Sequence, residues 1–166
     1  MADTKGLIVV TGAGGFIGGA LLSSLRERGF RLRGVDVKPL DDWYQRFDDV
    51  ENLSLDLNLK ENCELAVRGA TDIYNLAANM GGMGFIEHNK ALCMLSVLIN
   101  THMLQAALDS GATRFFYSSS ACVYNGDKQK TFVAPPLKEE DFVRILTEPK
   151  NAVTRQFQSI GCHPLL

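Results

Sequence analysis

Ten residues near the start of the chain, Val9-Val10-Thr11-Gly12-Ala13-Gly14-Gly15-Phe16-Ile17-Gly18, constrain its fold more than any others. A short β-branched run leads straight into glycines at positions 12, 15 and 18, and a helical pattern follows. Glycines so spaced let the backbone turn tightly out of a strand, approach a ligand closely, and pack the next helix against that strand. A helix opened in this way presents unpaired N–H groups, which attract phosphate. The spacing predicts a strand, a phosphate-accommodating loop and a helix. Gly12, Gly15, Phe16, Ile17 and Gly18 are the expected dinucleotide-binding residues of this loop, with Gly12 making the tight turn, Gly15 letting the backbone approach the pyrophosphate and Gly18 packing the helix on the strand.

The rest of the chain supplies the context such a loop needs. Apolar, β-branched runs at Leu7 to Thr11, Arg31 to Asp36, Glu51 to Leu55, Asp72 to Ala77 and Arg114 to Ser118 alternate with helical patterns starting near Phe16, Asp42, Leu59 and Glu87. That alternation predicts an α/β fold, a Rossmann-type doubly wound parallel sheet with strand order 3-2-1-4-5, truncated after about the fifth strand. Residues 1–124 read as the dinucleotide-binding domain. Residues 125–166, interrupted by Pro135, Pro136 and Pro149, read as a divergent or incomplete tail with no winning periodicity. The helical pattern from Glu87 to Ser110 is apolar on nearly every face, so it needs cover on two sides, its own sheet and a further helix or a second subunit.

Acidic residues at the predicted strand ends refine the ligand. Asp36 ends the second strand, where a carboxylate accepts from ribose hydroxyls and repels a 2'-phosphate, which favours NAD over NADP. Lys38 and Arg33 are near enough in sequence to soften that preference. Asp56 ends the third strand and has two readings, an acceptor for the adenine amino group or an N-cap for the helix near Leu59. Ala77, in Asn75-Leu76-Ala77-Ala78, suits a backbone running beneath a cofactor and suits sheet core equally well.

Composition excludes other classes. With 17 basic and 19 acidic side chains in 166 residues, the chain has a net charge of -2 and no basic patch for nucleic acid. The four cysteines show no Cys-x-x-Cys spacing, which argues for free thiols in a reducing, cytoplasmic setting and against a metal site. No stretch reads as a targeting segment or as a membrane span.

Together, Thr-Gly-x-x-Gly-x-x-Gly, the acid after the second strand, Asp56 after the third and Asn-x-Ala-Ala after the fourth resemble the extended short-chain dehydrogenase/reductase family of NAD-dependent epimerases and dehydratases. Asn79-Met80-Gly81-Gly82-Met83-Gly84 and Tyr117-Ser118-Ser119-Ser120-Ala121-Cys122-Val123-Tyr124 resemble the GDP-mannose 3,5-epimerase branch more narrowly. The resemblance runs from about Leu7 to Asp141. It implies a nucleotide-sugar substrate of the GDP-mannose kind, transient oxidation at C4, epimerisation and re-reduction. It also implies roles for single residues: Ser120 bonded to the sugar hydroxyl, Cys122 as one half of an acid/base pair, and Gly81, Gly82, Met83 and Ala121 beside the substrate.

One element of that family pattern is not among these 166 residues. No tyrosine follows Tyr124, so the later helix that carries the family's Tyr-x-x-x-Lys pair has no counterpart. Without that base, hydride transfer is expected to fall by roughly 10² to 10⁴. The expectation is an NAD-binding N-terminal part of a sugar-nucleotide epimerase, catalytically incomplete alone. Its alternatives are a stand-alone dinucleotide-binding or partner-pairing module, an inactive truncation product, or a fragment of a related dehydratase.

Overall fold

A computed structural model describes residues 6–79 and 83–118 of the chain. Leu7–Thr11 forms β1, Phe16–Glu27 α1, Arg31–Asp36 β2, Glu51–Ser54 β3, Lys60–Val67 α2 and Ala70–Asn75 β4. Met83–His88 forms α3, Lys90–Asp109 α4 and Arg114–Tyr117 β5. The strands make one sheet in the order β3-β2-β1-β4-β5, as the βαβ rhythm predicts. Parallel pairing is registered so that Thr11 lies opposite Val35 on β2 and Asn75 on β4.

All five residues of β1 are buried, as a central parallel strand requires. Ile8 and Val10 pack with Leu22 and Leu25 of α1, together with Leu32, Trp43 and Val50. The alternate residues, Leu7, Val9 and Thr11, face the opposite side, where α2 and α4 pack on one another. Right-handed crossovers account for this division, because the chain moves one way from β1 to β3 and reverses to reach β4. Each large aliphatic side chain buried here contributes about 1.5–3 kcal/mol. On the outer side, Tyr74 and Phe116 approach to 5.7 Å between ring centroids, and Arg114 pairs with Asp72, tying β5 to β4.

Three expectations are corrected. The helix predicted near Asp42 is only a single 3₁₀ turn, Leu40–Asp42, because the Pro39 N-cap and the loop to β3 leave no amphipathic run. The helix predicted from Glu87 is two helices broken at Asn89. Asn89 leaves the helical region, with φ -127° and ψ 39°, and its backbone and side-chain N–H groups both donate to the Phe85 carbonyl. Finally, Ala91–Asp109 is long and apolar enough to cross a membrane by length and composition. In this fold Ile99, Met103, Ala106 and Ala107 of that helix are buried, while Leu92, Met94, Leu98 and Leu108 are exposed. Among the described residues, none provides the expected cover on a second side over those four.

Candidate dinucleotide site

The strand order reverses between β1 and β4, and at that point a parallel sheet opens a crevice at its carboxyl edge. A cleft of about 390 Å³ lies there, lined by Gly12 and Gly15, Asp36 to Lys38, Leu55 to Asn58, Leu76 to Asn79, and Ile99. Of the residues named from sequence, it brings together Gly12, Gly15, Asp36, Asp56 and Ala77.

Glycine is required at two positions of the loop. Gly12 has φ +69°, and a Cβ there would lie 2.9 Å from the Leu76 carbonyl oxygen. At Gly18 a Cβ would come within 2.1 Å of the Gly12 carbonyl oxygen, so α1 sits on the turn with no space for a side chain. Gly19 N–H donates to the Gly15 carbonyl at 2.9 Å and begins the helical ladder. The amides of Phe16, Ile17 and Gly18 precede that first bond, and no side chain caps α1. Phe16 and Ile17 do not line the cleft, and their side chains are exposed, 66% and 70%. Gly18 is buried beneath the turn.

Asp36 is 8% exposed and carries two backbone bonds. One carboxylate oxygen accepts from Gly14 N–H at 2.9 Å, the other from Lys38 N–H at 3.0 Å. A carboxylate has about four lone-pair sites, so ribose hydroxyls still find acceptors there. Lys38 Nζ donates to the Gly14 carbonyl at 3.4 Å, and Lys38 lines the cleft. Arg33 does not act there. Its guanidinium is paired with Glu51 at 2.9 Å and donates to the carbonyls of Ala66 and Arg68 at 2.8 and 2.9 Å.

Asp56 does not cap α2, whose N-cap is Leu59. Its Oδ1 accepts from the backbone and side-chain N–H groups of Asn58, at 2.9 and 2.7 Å, in a turn on the cleft wall. Beneath this turn the Cys63 thiol donates to the Leu57 carbonyl at 3.2 Å. Burial, then the negative charge of Asp56, pushes that thiol up to about 12, so it is an inert structural group. Ala77 stands at the cleft edge, with its N–H bonded to Thr11 Oγ1 at 3.1 Å.

The sequence reading missed Trp43, the only tryptophan. It is buried against Gly14, where a Cβ would meet its Cδ1 at 2.8 Å, and its Nε1–H donates to the Lys38 carbonyl at 3.1 Å. Tyr44 N–H donates to the Gly14 carbonyl, and the Tyr44 ring meets Phe16 edge-on at 5.1 Å. A lone large aromatic soon after the second strand was the available signal. Gly81, Gly82, Ser120, Ala121 and Cys122 lie outside the described residues, and Met83 opens α3.

The model of the NAD dependent epimerase/dehydratase family matches residues 8–152. The chain belongs to the NAD-dependent epimerase/dehydratase family. The match continues past Asp141, where the resemblance read from sequence stops. Among relatives, GDP-mannose 3,5-epimerase of Arabidopsis thaliana is 38% identical over 135 residues, 81% of this chain and 36% of that protein. GDP-mannose 3,5-epimerase 1 of Oryza sativa subsp. japonica is 40% identical over 136 residues, 81% of this chain and 35% of that protein. The chain thus spans about a third of the length of the curated relatives it matches.

Among solved structures, UDP-glucose 4-epimerase of Thermotoga maritima superposes with TM-score 0.69 at 19% identity, covering 96% of this chain and 45% of that one. That likeness shows the fold. MoeE5, solved with UDP-glucose and NAD, gives TM-score 0.63 at 26% identity over 85% of this chain and 46% of that one. The site fits the cofactor of the epimerase/dehydratase family. Gly12 and Gly18 let the turn and α1 close tightly on the backbone, Gly15 lines the cleft without a side chain, the N–H groups opening α1 are uncapped, and the Asp36 carboxylate stands in the same cleft.

Proposed function

We propose that the chain binds NAD in the β1/β4 cleft and forms the cofactor-holding part of a sugar-nucleotide epimerase of the GDP-mannose 3,5-epimerase kind. One observation carries the reading. Gly12, Gly15 and the Asp36 carboxylate line a single cleft at the switch point of the sheet. The N–H groups of Phe16, Ile17 and Gly18 bind the pyrophosphate, and Asp36 accepts from the adenosine ribose. Asp56 and Asn58 form the wall at the adenine end. NAD, when bound, supplies a reversible hydride acceptor.

The substrate reading rests on the relatives and on the residue-by-residue resemblance. Ser120 is assigned the bond to the sugar hydroxyl under oxidation, Cys122 one half of the acid/base pair, and Gly81, Gly82, Met83 and Ala121 the substrate contacts. Because no tyrosine follows Tyr124, the later helix that carries the family's Tyr-x-x-x-Lys pair has no counterpart among these 166 residues, and the chain by itself binds the cofactor without turning over. Calorimetric titration with NAD, followed by incubation with GDP-mannose and product analysis, tests both parts. Absence of NAD binding contradicts the first, and epimerised product from the purified chain contradicts the second. Pairing of two copies through exposed Leu92, Met94, Leu98 and Leu108 is the partner reading, which sedimentation velocity checks.

A further inference from the structure

Behind the cleft runs a buried chain of side-chain hydrogen bonds whose direction is fixed throughout. Thr11 Oγ1 accepts from Leu76 N–H and from Ala77 N–H, both at 3.1 Å. These are the first two residues past the end of β4, and both line the cleft. A hydroxyl has two lone pairs and one proton, so with both lone pairs engaged it is left with one bond to donate. That bond goes to Asn75 Oδ1 at 2.7 Å. With its oxygen turned to Thr11, the Asn75 amide turns its Nδ2 away, toward α4, where it donates to Asn100 Oδ1 at 2.7 Å. Thr11 and Asn75 are 0% and 1% exposed, so neither has water as a substitute partner.

The polarity of this relay requires an acceptor at position 100. A donor or an apolar group there leaves the Asn75 amide with a buried, unpaired N–H. The amide then either remains unsatisfied or flips, and a flip puts its NH₂ against the Thr11 hydroxyl. In a flipped arrangement Thr11 has to accept from Asn75, and one of the Leu76 and Ala77 amides loses its partner. The neighbouring turn of α4 acts on the same loop, since Ser96 Oγ accepts from Asn79 N–H at 2.9 Å and Ile99 lines the cleft.

We infer that Asn100, a residue of α4 outside the cleft lining, is a positioning residue that holds the Leu76–Ala77 backbone at the cleft edge through Asn75 and Thr11. Its consequence for NAD affinity rests on the proposed function, whereas its effect on the backbone does not.

Amide hydrogen exchange of the 166-residue chain without cofactor therefore tests it first, comparing the unaltered chain with Asn100→Leu and Asn100→Asp. Asn100→Leu removes the acceptor at similar size; Asn100→Asp retains it. Expected is about tenfold faster exchange at Leu76 and Ala77 in Asn100→Leu, with rates in Asn100→Asp close to those of the unaltered chain. Equal rates in all three chains, or equal acceleration in both variants, overturn the relay. Should Asn100→Leu fail to fold, the side-chain amide protons of Asn75 in the unaltered chain decide. Slow exchange supports the relay, and exchange as fast as that of an exposed asparagine overturns it. NAD titration then reads the consequence: about tenfold weaker binding in Asn100→Leu, restored in Asn100→Asp. Failure of the unaltered chain to bind NAD sinks the proposed function, and the exchange rates still decide the relay.

Discussion

The Asp36 carboxylate accepts a hydrogen bond from Gly14 N–H at 2.9 Å, so a side chain ending β2 fixes the loop that leaves β1. That buried acid holds the glycine turn, and in the proposed function the same carboxylate also accepts from a ribose.

Asp36→Ala removes both. Charge-assisted hydrogen bonds contribute about 1.5–3 kcal/mol each, so NAD affinity falls by about ten- to a hundredfold. Loss of the Gly14 and Lys38 anchors also lowers the melting temperature. Calorimetric titration alongside thermal unfolding checks this. Unchanged NAD affinity in the variant would remove Asp36 from the site.

At Gly18 the absence of a side chain is a packing requirement. An alanine Cβ would lie 2.1 Å from the Gly12 carbonyl oxygen, and backbone cannot move aside cheaply. Gly18→Ala is therefore expected to cost about 1–3 kcal/mol or more and to abolish NAD binding by displacing α1 from the turn. Gly84→Ala is the control: nothing lies within 4 Å of its Cβ, and in a helix alanine gains about 0.5–1 kcal/mol over glycine. Denaturant unfolding of the two variants should move in opposite directions.

The Cys63 thiol sets a pH dependence. Its folded value of about 12 exceeds its ordinary value of 9.0, because burial and then Asp56 disfavour the thiolate. Between those values the folded chain holds a proton that the unfolded chain has released, so this group makes stability fall as pH rises from about 9 toward 12. Below pH 9 it contributes no slope. Cys63→Ser or Cys63→Ala should flatten the alkaline limb of stability against pH. A limb unaltered in both variants would assign it to other groups.

Trp43 supports the loop from beneath. Trp43→Ala is expected to cost about 3–5 kcal/mol, as for other large buried aromatics, and to weaken NAD binding by loosening Gly14. Being the sole tryptophan, it reports unfolding directly by its fluorescence.

Residues whose chemistry is local were legible in the sequence. Gly12, Gly15 and Gly18 announce a strand, a turn and a helix by spacing alone, and the βαβ alternation with crossover handedness gives the strand order. Contacts across the fold were not legible. Arg33 lies near Asp36 in sequence, yet its guanidinium is held by Glu51, which the β2–β3 register sets opposite it, and by the Ala66 and Arg68 carbonyls at the end of α2. Asn100 reads as one polar residue in an apolar helix, and its bond to Asn75 spans 25 positions. The break at Asn89 was hidden because a single asparagine barely disturbs a helical period, although its side chain takes the Phe85 carbonyl.

The central claim is that the cleft between β1 and β4 is built for NAD, and a paired titration of the chain with NAD and NADP tests it most directly. The account predicts saturable NAD binding, weaker binding of NADP because Asp36 repels its 2'-phosphate, and a narrowed difference in Asp36→Ala. Tighter binding of NADP, or no binding of either dinucleotide to the folded chain, would contradict it.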